Sequence, residues 1–206
     1  GLREGCHVFL AKPSTVVVQQ VDDMIAASHE AGKVLAVDFQ HSYAASAQEI
    51  KQWLADGVIG TPQRVVAQAI WCRQASYYRR NRWAGKFKVG DQYVLDGPLN
   101  NPHAHYINNA LYFASSDRHQ FAVPASVEAE LYRAHAIEGE DTACIRAVTR
   151  AGVDILIYST LSGEDGVNET QIDVYGTNGQ AFWRWDEYSV HPAGGEPIVK
   201  KSEKAT

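Results

Sequence analysis

The sequence predicts a mixed fold, in which a short parallel α/β unit precedes a larger α+β domain with a mostly antiparallel sheet. Three observations predict this fold. The first forty residues have the pattern strand, helix, strand, which is the unit of a doubly wound sheet. From residue 64 onward the apolar residues alternate as in strands, and glycine-containing turns separate the runs. Few helical patterns occur in this second part, so we expect an open-faced sheet with helices on one face.

The first predicted strand covers residues 7–10 and is followed by Lys12 and Pro13. A proline restricts the preceding residue to extended backbone. The strand therefore ends here and displays Lys12 at its tip. A solvated loop lysine is the alternative interpretation of this residue.

A helix follows, with Ser14 or Thr15 as its predicted N-cap and Gly32 as its stop. Its apolar residues recur at helical spacing and predict one buried stripe, formed by Val17, Val21, Met24, Ile25 and Ser28. The next strand, residues 33–39, is almost wholly apolar, which is typical of a parallel strand covered on both faces.

A second helix is predicted from a capping box at Ser46 and Glu49 and ends at Gly57. Six strands should then form the sheet, at residues 64–73, 127–133, 141–149, 153–160, 170–175 and 180–185. The turns at residues 150–152 and 177–179 predict antiparallel hairpins. A long insertion, residues 74–124, contains a predicted helix at 102–114, and the polar tail from His191 onward is expected to fray.

Composition excludes several classes of function. The chain has 206 residues, a formal net charge of -5 and no dominant basic cluster, so nucleic acid and anionic membranes are not expected partners. It has no apolar run of about 20 residues and no secretory signal pattern. Its three cysteines, Cys6, Cys72 and Cys144, are expected to be buried free thiols, and we therefore expect a cytoplasmic protein.

Residues 100–109 concentrate polar side chains at a predicted helix start. Asn101 is expected near the N-cap, with His105 one turn later on the same side. Together with His103 and Asn108, these residues offer hydrogen bonds to a hydroxylated ligand and a group that can titrate near neutral pH. No carboxylate or cysteine lies in register with them, so no metal site is expected.

Residues 77–85 are aromatic and basic, and include Tyr78 and Trp83. A nucleic-acid patch is one interpretation of such a segment. Because it is short and lies in an acidic protein, a loop whose aromatic rings stack on a sugar is the better interpretation.

Four segments, in order, resemble the Gfo/Idh/MocA family of oxidoreductases. They are Ala11-Lys12-Pro13, Phe39-Gln40-His41-Ser42-Tyr43, Gly57-Val58-Ile59-Gly60-Thr61-Pro62 and Asn101-Pro102-His103-Ala104-His105. The resemblance covers essentially the whole chain. It implies that residues 1–45 are the C-terminal remnant of a dinucleotide-binding Rossmann domain, and that residues 46–206 form a domain for substrate binding and oligomerisation.

The resemblance also implies a function, a cofactor and a site. The expected activity is hydride transfer between NAD or NADP and a hydroxyl carbon of a sugar, sugar acid or cyclic polyol. Lys12 and His105, with Asn101, are the implied catalytic residues. Lys12, Pro13 and Gln40 are expected to bind the cofactor, and Trp83, Tyr78, His103 and Asn108 to bind the substrate.

The chain departs from the family pattern at three points. Ala11 replaces a glutamate, Asn101 replaces an aspartate, and no GxGxxG motif is present, although a dinucleotide fold needs that glycine loop. The resemblance therefore places most of the nucleotide-binding domain before Gly1. The alternative function is a catalytically silent module that binds carbohydrate or dimerises.

The strand pattern further predicts a homo-dimer or tetramer that pairs through the outer face of the sheet. That face carries Tyr158, Tyr175, Phe182 and Arg184 among other large side chains, a composition typical of interfaces. The alternative is that the insertion folds back over the same face.

Overall fold

The computed structural model describes residues 1–202 and confirms the predicted fold class. The α/β unit consists of strand β1 (Val8–Ala11), helix α1 (Val18–Ala31) and strand β2 (Leu35–Asp38). The two strands pair in parallel over their full length. A 3-10 turn at Leu2–Glu4 precedes the unit, and another at Gln40–Tyr43 follows it.

Helix α1 differs from its prediction in two respects. Its N-cap is Val17, and neither Ser14 nor Thr15 caps it, although the Val17 amide donates to Thr15 Oγ1 over 3.3 Å. The predicted buried stripe is also wrong, since no residue of α1 is buried and Ile25 is 45% exposed. Strand β2 is likewise only half-buried. Both results follow from size, because a two-stranded sheet cannot cover a helix and two strand faces.

The second helix, α2, runs from Ala45 to Ala55, and the predicted capping box is wrong. No side chain caps α2. Instead, Ser46 Oγ accepts a hydrogen bond from Trp183 Nε1 over 3.0 Å, and Glu49 accepts one from the Tyr188 hydroxyl over 2.7 Å. These side chains hold the helix against the sheet. The helix ends as predicted before Gly57, whose φ of 71° is left-handed.

The remaining strands form an eight-stranded sheet and a small hairpin. The large sheet has the order β12-β11-β10-β9-β3-β8-β7-β6, antiparallel throughout except for β3 and β8. Its strands are β3 (Pro62–Trp71), β6 (Pro124–Tyr132), β7 (Thr142–Thr149), β8 (Asp154–Thr160), β9 (Asn168–Gly176), β10 (Gly179–Arg184), β11 (Glu187–Pro192) and β12 (Ile198–Lys201). The insertion between β3 and β6 contains α3 (Ala75–Tyr78), β4 (Lys88–Val89), β5 (Gln92–Tyr93) and α4 (Ala104–Phe113).

Both predicted hairpins are confirmed, because β7 pairs with β8 and β9 pairs with β10 in antiparallel registers. The predicted fraying of the tail is wrong, since residues 187–192 and 198–201 add two strands to the sheet. Tyr188 and Val190 are buried on the inner face. Only alternate residues of β11 are apolar, and this short pattern lies within a polar segment.

The core lies between α2 and α4 and one face of the sheet. Residues from β3, β8, β9 and β10 alternate into it as predicted. The edge strand β6 is an exception: Val127 and Leu131, expected in the core, are 61% and 56% exposed. The two helices contact the central strands and those on the β11 side, so they leave this edge uncovered.

Candidate functional site

The structure brings together Lys12 and the start of α4, which are 89 positions apart. Lys12 follows β1 directly, and its Nζ donates a hydrogen bond to the backbone carbonyl of Asn101. Because burial disfavours the charged amine, the pKa of Lys12 is lowered. A strand tip and a helix start thus meet in one place.

Helix α4 begins later than the sequence predicts. Its N-cap is His103, so Asn101 lies two residues before the cap. His105 lies in the first turn and is only 5% exposed. Its ring stacks on that of His41, with centroids 4.1 Å apart, and Phe39 packs edge-on at 5.9 Å. His41 is a site residue that the sequence did not single out, although it directly follows the predicted cofactor residue Gln40.

The two stacked imidazoles are neutral at pH 7. Burial, together with the nearby His41 and Lys12, lowers the pKa of His105 to about 3. Burial and Lys12 also lower the pKa of His41. Within residues 1–202, neither Nδ1 atom has a hydrogen-bond partner. A neutral imidazole beside an amine can accept a proton or steady a negative charge.

A buried carboxylate supports Asn101, where the family pattern has an aspartate. Asp96 Oδ1 accepts a hydrogen bond from Asn101 Nδ2 over 2.9 Å, and Asp96 Oδ2 accepts one from the Gly85 amide over 2.8 Å. The preceding residue, Leu95, has a φ of 39°, a left-handed backbone that is costly for leucine. Asp96 lies five residues before the motif, and no local pattern marked it.

His103 is almost fully buried beside this site. Its Nδ1 lies 2.7 Å from Ser159 Oγ, and Trp71 packs edge-on against its ring at 4.7 Å. Burial, with Arg73 and Lys12 nearby, lowers the pKa of His103 to about 3. Its Nε2 has no partner in residues 1–202, which leaves one hydrogen-bonding position unused.

Two further predicted residues lie at the junction of α4 and the turn after β2. Asn108 Nδ2 donates to Ser42 Oγ over 2.5 Å, and Ser42 Oγ donates to Asn109 Oδ1 over 2.7 Å. The Asn108 side chain therefore fastens α4 to the turn. Gln40, in the same turn, is exposed, and so is Pro13.

Tyr78 and Trp83, predicted to bind substrate, are not in contact with the Lys12–His105 group. Tyr78 packs against His135, with ring centroids 4.9 Å apart. Trp83 is 37% exposed and has the Arg80 guanidinium 5.0 Å from its ring. The aromatic segment therefore forms a separate wall.

Other expectations about the chain concern metals, membranes and thiols. Within the described residues, no three His, Cys, Asp or Glu side chains are grouped so that they could hold a metal ion. No helix in that part of the chain is long and apolar enough to cross a membrane. The three cysteines are free, but Cys6 is exposed and the other two are half-buried, so the prediction that they are buried is wrong.

Comparisons with known proteins identify the fold. No family model matches the chain. D-glucoside 3-dehydrogenase of Escherichia coli K12 is 35% identical over 69 residues, which are 34% of this chain and 20% of that protein. The WlbA dehydrogenase of Bordetella pertussis, solved with NADH and UDP-GlcNAcA, matches 100% of this chain and 58% of its own at 24% identity and a TM-score of 0.77. Levoglucosan dehydrogenase, solved with NADH and L-sorbose, matches 97% of this chain and 55% of its own at 17% identity and a TM-score of 0.81.

The fold is that of the Gfo/Idh/MocA oxidoreductases. The resemblance in the sequence is thereby confirmed. An inositol dehydrogenase homologue of Azotobacter vinelandii, solved with NADH and myo-inositol, agrees at a TM-score of 0.76 and 15% identity, over 97% of this chain and 51% of its own. The chain spans about half the length of these Gfo/Idh/MocA structures and corresponds to their C-terminal region.

Proposed function

We propose that the protein is an oxidoreductase that transfers a hydride between NAD or NADP and a hydroxyl carbon of a sugar, sugar acid or cyclic polyol. The observation that carries the proposal is the contact of Lys12 with Asn101, beside the stacked pair of His105 and His41. An amine of lowered pKa next to neutral imidazoles suits proton transfer from an alcohol.

The proposed roles follow from the chemistry of alcohol oxidation. The hydroxyl proton needs an acceptor, and the developing alkoxide needs a cation or hydrogen-bond donor nearby. Lys12 supplies the donor and, when deprotonated, the base. His105 accepts a hydrogen bond from the same hydroxyl and orients it. Asn101 positions Lys12 through its carbonyl and is itself held by Asp96.

The nicotinamide cofactor supplies the hydride acceptor or donor when it is bound. Lys12 and Pro13 follow the carboxyl end of β1, and Gln40 follows that of β2. Ligands of doubly wound sheets bind at this edge, so these residues fit the nicotinamide end of the cofactor. The chain carries no glycine loop for the pyrophosphate, and residues 1–45 are proposed as only the last part of the dinucleotide-binding domain, ahead of a substrate domain at 46–206.

Polyhydroxylated substrates fit the polar groups around Lys12. His103 Nε2 is an unused hydrogen-bonding atom close to the site, and His103 and Asn108 are proposed to contact substrate hydroxyls. Trp83 is proposed to stack on a ring further out, and Tyr78 to bind from its own cavity. The names of the relatives agree with this class, since they include a glucoside dehydrogenase and structures solved with a nucleotide sugar, a sugar and an inositol.

A catalytically silent carbohydrate-binding module is the second candidate. Ala11 and Asn101 favour it, because each lacks a carboxylate that the family pattern has. Asp96 opposes it, because a buried carboxylate still touches Asn101. The two functions differ in turnover and not in sugar binding.

We also propose that copies of the protein pair through the outer face of the large sheet. The insertion does not place its helix there, since α4 packs with the inner-face core. Tyr158 is 41% exposed on the outer face, and the Arg146 side chain is 54% exposed. Large apolar and arginine side chains on an open face are typical of interfaces. The free cysteines support the proposed cytoplasmic location.

The test of the oxidoreductase proposal is turnover of the full-length protein with NAD and with NADP. Sugars, sugar acids and cyclic polyols are offered in turn, and the reduced cofactor is followed by its absorbance. We expect reduction with at least one member of these classes. Sugar binding without any turnover would instead support the silent module.

A further inference from the structure

A second polar cavity lies between the aromatic segment and the loop that follows β6. Its volume is about 510 Å³, and its wall includes Tyr78, Arg79, Gly85, Lys86, His135 and Glu138. None of Lys12, Asn101 and His105 lines it. The cavity is therefore distinct from the group proposed for hydride transfer.

A buried carboxylate fixes the histidine in this cavity. His135 Nδ1 lies 2.9 Å from Asp141 Oδ2, and the Asp141 side chain is fully buried. Burial raises the pKa of Asp141, but hydrogen bonds from the amides of His135 and Ala134 and from the His135 ring outweigh it, and the pKa is lowered. The ionised carboxylate thus holds the Nδ1 proton of His135. Nε2 is left as an acceptor, and it has no partner among residues 1–202.

The tyrosine beside this histidine has an unused hydroxyl. The Tyr78 oxygen is buried and has no hydrogen-bond partner in the described residues. Burial raises the pKa of Tyr78, with Asp141 and other nearby groups adding to the shift, so the hydroxyl remains protonated and can donate. Buried hydroxyls without a partner are rare in proteins, and this one lies against the ring of His135.

The two unused atoms together specify the ligand chemistry. Tyr78 offers a donor and His135 Nε2 an acceptor, and a single alcohol hydroxyl can satisfy both. An ionised carboxylate has no proton to donate to Nε2. The nearby charges are mixed, because Arg79 and Lys86 are accompanied by Glu138. A neutral, hydroxylated molecule therefore fits better than an anion.

One side chain joins this cavity to the proposed catalytic group. Asp96 accepts from the amide of Gly85, which lines the cavity, and also from Asn101, which contacts Lys12. The cavity wall and Asn101 are thus separated by a single carboxyl group. A molecule with two linked rings could occupy both places.

We propose that the cavity of Tyr78 and His135 binds the second sugar ring of a disaccharide whose first ring lies at Lys12 and His105. The inference rests on the proposed sugar dehydrogenase function, and deepens it by naming the substrate as a glycoside. His135 and Tyr78 hold one hydroxyl of the second ring, and Asp96 keeps the two ring sites in register.

The test is calorimetric titration of the full-length protein with glucose and its disaccharides cellobiose, maltose and trehalose. We expect at least one disaccharide to bind about tenfold or more tightly than glucose. Tyr78→Phe removes one hydroxyl and should reduce this preference about three- to tenfold, the range for one lost hydrogen bond. His135→Gln should reduce it similarly. Tyr93→Phe, on an exposed tyrosine of β5, is the matched control and should leave the preference unchanged.

The outcomes separate this inference from the function on which it rests. Equal affinity for glucose and every disaccharide, or an undiminished preference in a folded Tyr78→Phe variant, would overturn the second-ring site. Turnover of a monosaccharide with NAD or NADP would in that case leave the dehydrogenase proposal standing. A disaccharide preference that depends on Tyr78, without turnover of any sugar, would support the cavity and count against the dehydrogenase.

Discussion

Lys51 is a fully buried lysine that closes the C-terminal end of α4. Its Nζ donates to the carbonyls of Tyr112, Ser115 and Gln120, the last two over 2.5 and 3.0 Å, and lies 4.4 Å from the Tyr112 ring centroid. These carbonyls have no other donor of this kind close by, so the side chain holds the loop after α4 against α2.

We expect Lys51→Met to lower the free energy of unfolding by about 2 kcal/mol at pH 7, because three buried carbonyls lose their donor. Burial lowers the pKa of Lys51 to about 8, below the 10.5 of a free lysine. Between these two values the unfolded chain binds more protons than the folded protein, so the contribution of Lys51 to stability rises with pH. Chemical denaturation of both proteins at pH 7 and pH 10 is the measurement. A gap between the two proteins that stays constant or narrows at pH 10 would contradict the assignment.

At the residue scale the sequence predicted the side chains that follow a turn signal or a motif. Proline placed Lys12 at a strand tip, and the polar helix start marked Asn101 and His105. Asp96, His41 and Lys51 were missed, because each acts on a residue that is distant or only loosely linked to it in sequence. Their partners are set by the tertiary fold, which local patterns do not encode.

Helix α2 shows how tertiary contacts override a local signal. Ser46 and Glu49 have the spacing of a capping box, yet both side chains bind the sheet. Asp is normally favourable in the first turn of a helix, so the two interpretations predict opposite effects of an added carboxylate.

We expect Ser46→Asp to destabilise the protein by about 2 kcal/mol or more, because it buries a carboxylate beside Trp183 in a site that is 6% exposed. Ala45→Asp, one position earlier and exposed, is the matched control and should be neutral or slightly stabilising. Thermal unfolding of both variants decides between the interpretations. A Ser46→Asp variant as stable as the control would show that Ser46 acts as a cap.

The errors at the element scale share one cause. The apolar stripe of α1 and the apolar run of β2 predicted full burial, but residues 1–202 provide too few neighbouring elements to cover them. The tail predicted fraying, but β11 alternates Tyr188 and Val190 into the core. In each case the local pattern was present, and the number of partners, which is a property of the whole fold, decided the burial.

At the scale of the whole molecule, the order of elements was predictable, but the order of strands in the sheet was not. Hairpin turns fixed the neighbours of β7 and β9. The insertion of β3 between β8 and β9 depends on a pairing across about 90 residues, for which no turn gives a signal.

We predict that the protein is a homo-oligomer at micromolar concentration, because the outer sheet face exposes large side chains. Light scattering measures the mass directly. Tyr158→Glu, which adds a charge to the centre of this face, should shift the protein toward the monomer. A wild-type protein that is already monomeric at this concentration would contradict the proposed pairing.

We also predict that the 206-residue chain by itself binds NAD and NADP weakly, because it has no glycine loop to hold the pyrophosphate. Calorimetric titration with each cofactor is the measurement. Micromolar affinity would mean that the cofactor is held by groups other than those that the family pattern implies.

Lys12 provides the most direct test of the proposed function. In the full-length protein, with the sugar or polyol that it oxidises, Lys12→Ala should lower kcat about a hundredfold or more while the melting temperature changes little, since electrostatic and acid–base roles have effects of this size. Lys88→Ala, an exposed lysine of the β4–β5 hairpin, is the control. A Lys12→Ala variant that turns over at the wild-type rate would contradict the account.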